Sequence, residues 1–71
     1  MNADVFKATV AKYKTLRHIK GNKALFAHTT CNSLATFNRR MADPGEMELE
    51  LFCEVMKALN VPKEEQLEIL N

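Results

Sequence analysis

Pro44-Gly45 cuts this chain into two stretches, each carrying apolar residues at helical spacing, and that arrangement restricts the fold more than any other feature. Proline cannot continue a helix, because it lacks a backbone donor and clashes with the preceding turn. It also biases Asp43 away from helical dihedrals. Upstream of the break, Val5, Phe6, Thr9, Val10, Tyr13 and Leu16 recur with helical period and lysines between them, predicting a first helix from about Ala3 to Ile19 that Gly21 ends. Asn22 is placed to cap a second helix with Leu25, Phe26 and Ala27 on its apolar face. Asn32 or Ser33 can cap a third, with Phe37 and Met41 four apart.

Downstream, Phe52, Val55, Met56 and Leu59 form one stripe of a fourth helix from about Glu46 to Leu59, and Asn60 suits its C-terminal end. Val61-Pro62 opens a fifth, since proline is tolerated in a first helical turn, leading into Leu67, Ile69 and Leu70. No alternating strand pattern, repeat or linker competes. The expectation is a single all-α domain of five helices over residues 1–71.

The formal net charge of +1 conceals a strong asymmetry. Through Arg40, Lys7, Lys12, Lys14, Arg17, Lys20, Lys23, Arg39 and Arg40 face only Asp4, a balance of +7. From Met41 onward, Asp43, Glu46, Glu48, Glu50, Glu54, Glu64, Glu65 and Glu68 face Lys57 and Lys63, a balance of −6. The basic half can exchange counterions with phosphate, and the acidic half would turn away from a polyanion or toward a partner. The plainer reading is that acids and bases pair across the fold.

At 71 residues the chain is near the lower end of what folds alone, where a dimer interface often adds apolar burial. No run of about 18 apolar residues is present to span a bilayer, and the first residues lack the apolar core of a signal peptide, so no membrane association is expected and the expected location is cytoplasmic. Cys31 and Cys53 fall in different elements without CxxC spacing, which favours reduced thiols.

The segment from Asn22 to Ala42 is thus two short helices broken by a polar turn, the second with a capped N-terminus and the adjacent pair Arg39-Arg40. Its proportions suit entry into a DNA major groove. In this unit and beyond it the chain resembles the Cro and repressor type of helix-turn-helix protein, with the lambda-repressor-like fold, common in phages and other bacterial mobile elements. The resemblance runs from about Lys12 to Leu70. It rests on Leu25-Phe26-Ala27, Thr36-Phe37, Arg39-Arg40-Met41-Ala42-Asp43-Pro44 and the closing Met56-Lys57-Ala58-Leu59-Asn60-Val61. Cys31 stands where the family turn has glycine, and Asn32 where an apolar residue plugs the core. The left-handed residue of such a turn therefore falls on Cys31 or, shifted by one, on Asn32, which tolerates that conformation.

The resemblance implies that Ser33, Leu34, Ala35, Asn38 and Arg39 face DNA. Asn38 can pair bidentately with adenine and Arg39 with guanine, while Leu34 and Ala35 offer only apolar contact. Ser33, Lys23 and the free amides at the helix N-termini would hold phosphates. Arg40 lies nearer the Phe37 side of its helix, so it either reaches phosphate or pairs with an acid of the fourth helix.

Other readings carry less. His28 and Cys31, with His18 and Cys53, do not form a zinc-ligand pattern, so no metal and no cofactor are expected. Tyr13 can touch nucleic acid beside Lys12 and Lys14, but its spacing with Val10 and Leu16 fits core. Met41, Met47 and Met56 read as gap-fillers. No phosphate loop, nucleophile elbow or carboxylate pair in an evident cleft is present, so neither enzyme activity nor a small-molecule substrate is expected. The functional expectation is a small phage-type transcriptional repressor binding double-stranded operator DNA as a homodimer. The alternative is a protein-interaction module of the same fold that binds another regulator.

Overall fold

The computed structural model describes residues 1–71 and is all-helical: α1 (Ala3–Leu16), α2 (Gly21–Phe26), α3 (Leu34–Ala42), a single 3-10 turn at Pro44–Glu46, α4 (Leu49–Leu59) and α5 (Lys63–Leu70). There is no strand. Asn2 starts α1, its Oδ1 accepting from the Val5 amide at 3.1 Å, while its own backbone amide donates to the Ile69 carbonyl at 2.7 Å and ties the N-terminus to α5.

The first helix ends earlier than its apolar spacing suggests. His18 adopts a left-handed conformation at φ 58°, the Ile19 amide donates back to Lys14 at 2.9 Å, and the His18 amide donates to Thr15 at 3.3 Å. These are the paired bonds of a Schellman ending, which satisfies carbonyls the helix would otherwise leave open. Half-buried Ile19 packs on the core, whereas Leu16, expected on the apolar stripe, is exposed. Gly21 therefore does not end α1. It begins α2 at φ 79° with nothing within 4 Å of where a Cβ would stand, so glycine serves the backbone there and not a close approach. Asn22 does not cap α2 either: Lys20 holds the cap position without a side-chain bond, and the Asn22 Oδ1 accepts from Lys14 Nζ at 2.9 Å.

The fourth helix starts at Leu49, after the 3-10 turn, and ends as α1 does. Asn60 is left-handed at φ 52°, Val61 donates to Met56 at 3.0 Å and Asn60 to Lys57 at 3.1 Å. Pro62 then precedes the first turn of α5, where no intrahelical donor is lost.

One apolar cluster joins all five helices. Phe6, Val10 and Tyr13 of α1 meet Leu25 of α2, Phe37 and Met41 of α3, the α4 stripe of Leu51, Phe52, Val55, Met56 and Leu59, then Val61 and Ile69. Phe6 and Phe52 lie 6.1 Å apart between ring centroids, and Phe26 meets Phe37 edge-on at 5.6 Å. Such contacts add about 0.5–1.5 kcal/mol beyond area burial. In α5 only Ile69 is buried; Leu67 and Leu70 face solvent.

Tyr13 is a core residue with a polar tip. Its hydroxyl donates to Glu65 of α5, whose other carboxylate oxygen receives Lys12 Nζ at 3.1 Å. The hydrogen bonds from Tyr13 and Lys12 hold the Glu65 carboxyl below the usual carboxylate range, and the bond to Glu65 raises both the Tyr13 hydroxyl and the Lys12 ammonium.

Candidate nucleic-acid interface

The outward surface of α3 follows from its apolar residues. Phe37 and Met41 are buried and Leu34 is half-buried against the same core, so the helix turns Ala35, Asn38, Arg39 and Ala42 to solvent. Ser33 settles the choice of cap: its Oγ accepts from the Thr36 amide at 3.1 Å and donates to Thr36 Oγ1 at 2.9 Å. It is exposed but already engaged in starting the helix. Leu34 leaves only part of its side chain exposed. Neither Asn38 nor Arg39 has a side-chain partner within the protein, and Lys23 of α2 is likewise exposed and unpaired. Arg40 is half-buried and pairs through Nε with Glu48, the residue preceding α4, at 3.2 Å. Of its two sequence readings, the acid partner is the one the structure contains.

The connection between α2 and α3, residues 27–33, is longer than the three or four residues that usually join such helices. Ala27, expected on the apolar face of α2, is exposed. The Thr29 hydroxyl donates to Phe26, and Thr30 donates to Glu54 of α4 from its amide at 3.2 Å and its hydroxyl at 2.8 Å. Neither Cys31 nor Asn32 is left-handed; the non-glycine residues with positive φ are His18 and Asn60. The turn therefore has no need of glycine. Extra length, anchored by Glu54, replaces the sharp reversal.

The two flanks of α3 differ in charge. Against α1 and α2 runs a cleft of about 300 Å³ over Phe6, Val10 and Met41, edged by Lys7, Lys14, Asn22 and Asn38. Against α4 runs another of about 390 Å³, lined by Thr30, Cys31, Asn32, Thr36 and Arg40 on one side and by Glu48, Glu50 and Glu54 on the other. Lys7 and Lys14 are functional candidates that the α3-centred reading passes over, although their spacing of seven puts both on one face of α1. Of the acids beside α3, an acid partner for Arg40 is anticipated by the sequence, whereas Glu50 and Glu54 carry no local signal, because tertiary packing brings them there.

Charge segregation survives folding. Two ion pairs form, Lys12 with Glu65 and Arg40 with Glu48, and Arg17 is bound to carbonyls of the α4 terminus. Lys7, Lys14, Lys20, Lys23 and Arg39 pair with no acid. No helix is long and apolar enough to cross a membrane. Comparison of the chain with protein-family models, with curated proteins and with solved structures returned no match.

Proposed function

We propose that this chain is a small DNA-binding regulator of the Cro/repressor kind, in which α3 reads base edges and the basic half holds phosphates. The observation that carries this reading is the exposed pair Asn38 and Arg39 on α3, both without internal partners, with Asn38 sharing a cleft with Lys7 and Lys14, which pair with no acid. An amide and a guanidinium one residue apart supply the donors and acceptors that distinguish adenine and guanine in a major groove. Ala35 between them and the capped N-terminus is small enough to let the helix approach. In this reading two copies bind a two-fold operator, because one short helix reads few base pairs and a symmetric dimer doubles that number. The role is repression by occupancy, without catalysis, cofactor or small-molecule substrate.

One observation favours a second reading. Glu48, Glu50 and Glu54 beside Thr36 suit a basic protein segment better than a nucleic acid. Electrophoretic mobility shifts against the DNA upstream of the chain's own gene, at about 50 and 200 mM salt, separate the two. DNA binding through phosphates weakens steeply over that range. Absence of any shift at the lower salt favours the protein partner.

A further inference from the structure

We infer that Lys7 and Lys14 of α1 grip the phosphates of one DNA strand while the acids of α4 hold the other strand off, so that α3 engages the groove from one edge. The inference rests on the DNA-binding reading. A helix with its side chains measures about 10–12 Å across and the B-DNA major groove about 12 Å, so a docked helix has a phosphate strand along each flank. Here one flank presents Lys7 and Lys14, and the other presents Glu48, Glu50 and Glu54. Lys7 has no ion pair, and Lys14 donates only to the neutral Asn22 amide oxygen at 2.9 Å. Both ammonium charges are thus uncompensated and lie on the same cleft as Asn38. Seven residues apart on a helix, the two lysines are about 10 Å apart along α1. Each strand carries one phosphate per about 3.4 Å of duplex axis, so two ammonium groups at that separation can each reach a different phosphate of one strand. On the opposite flank Glu48 is already neutralised in part by Arg40 and Glu54 is bound to Thr30, whereas Glu50 has no partner and repels phosphate outright.

The test is fluorescence anisotropy of the full chain with a labelled mixed-sequence duplex between about 50 and 200 mM salt, because phosphate contacts do not require the operator. Each lysine on a phosphate steepens the logarithmic salt dependence by about 0.9, so its advantage over the alanine variant shrinks about 3.5-fold across that range. Lys7→Ala and Lys14→Ala should each show this, Lys14→Arg should retain the wild-type slope, and Lys57→Ala on α4 should change nothing. Glu50→Gln should bind more tightly than wild type. Circular dichroism of each variant confirms the helices. Wild-type binding with an unchanged slope in both alanine variants overturns the one-edge arrangement and leaves the DNA reading standing. Wild-type anisotropy that does not rise at the lower salt removes the reading and this inference with it.

Discussion

Arg17 closes the C-terminus of α4 from the end of α1: its Nε donates to the Leu59 carbonyl at 2.9 Å, and its terminal nitrogen donates to Asn60 at 3.1 Å. The last carbonyls of a helix carry partial negative charge and lack intrahelical donors, so a guanidinium there meets both deficits. It also lies over the Tyr13 ring, 5.4 Å from the centroid. A cation of the basic half thereby becomes part of the fold.

Arg17→Ala should cost about 1 kcal/mol, the net worth of a partly exposed charged hydrogen bond, and lower the melting midpoint by roughly 4–8 °C. Arg17→Lys should recover only part of this, because a lysine lacks the planar fork that spans two carbonyls. A midpoint unchanged in Arg17→Ala would show that water replaces the guanidinium without loss.

The Lys12, Tyr13 and Glu65 cluster gives a pH signature at both ends of the scale. Glu65 is lowered, so its contribution to stability is full above the ordinary carboxylate value of about 4.3 and is lost as pH falls through the lowered one. Tyr13 and Lys12 are raised, so theirs is full below about 10 and is lost as pH rises through the raised values. Tyr13 is the one tyrosine and there is no tryptophan, so phenolate absorbance follows it alone. Its titration midpoint should lie above that of a free tyrosine and move down in Glu65→Ala. An unchanged midpoint would exclude the Glu65 hydrogen bond as the cause.

The reading surface of α3 separates residues that specify from residues that hold. Asn38→Ala and Arg39→Ala should each cost about 1–3 kcal/mol on the preferred site and relax discrimination at one base pair. Lys23→Ala should weaken all sequences alike. Arg40→Ala should act first on stability, because its partner is Glu48. Competition binding against single-base variants of the site measures the first three, and a thermal melt measures the fourth. Equal effects of the Asn38 and Lys23 substitutions on every sequence would remove base reading from α3.

Much of this arrangement is legible where local chemistry decides it. Pro44 and Pro62 bound helices as written, Asn60 takes the left-handed position after α4, Ser33 caps α3, and Phe37 and Met41 face inward. The legible features have one property in common: a side chain acts on its own backbone or within one helical turn. What escapes the sequence depends on distance or on weak preference. Asn2 caps α1 locally through the Val5 amide, but its own amide bond to Ile69 joins opposite ends of the chain and has no local signal. Histidine is no strong turn signal, so the end of α1 is hidden among residues that continue the apolar period. Likewise Glu54 reaches the α2–α3 connection only after α4 has packed, and from the sequence it reads as a solvated acid.

The strained positions make the last prediction. His18 pays the steric cost of a side chain in the left-handed region, which glycine avoids, although glycine loses more freedom on folding. His18→Gly should therefore raise stability by about 0.5–1 kcal/mol. Asn60→Gly should change it by less, because asparagine already tolerates the conformation, and Asn60→Val should destabilise by more than about 1 kcal/mol. Cys31 provides the contrast. Its φ is not positive and its side chain is half-buried against the core, so Cys31→Gly has no strain to relieve and should destabilise by loosening the unfolded chain and leaving space. Chemical denaturation under reducing conditions orders the four variants. A gain in Cys31→Gly with none in His18→Gly would place the left-handed residue in the α2–α3 connection and not at the end of α1.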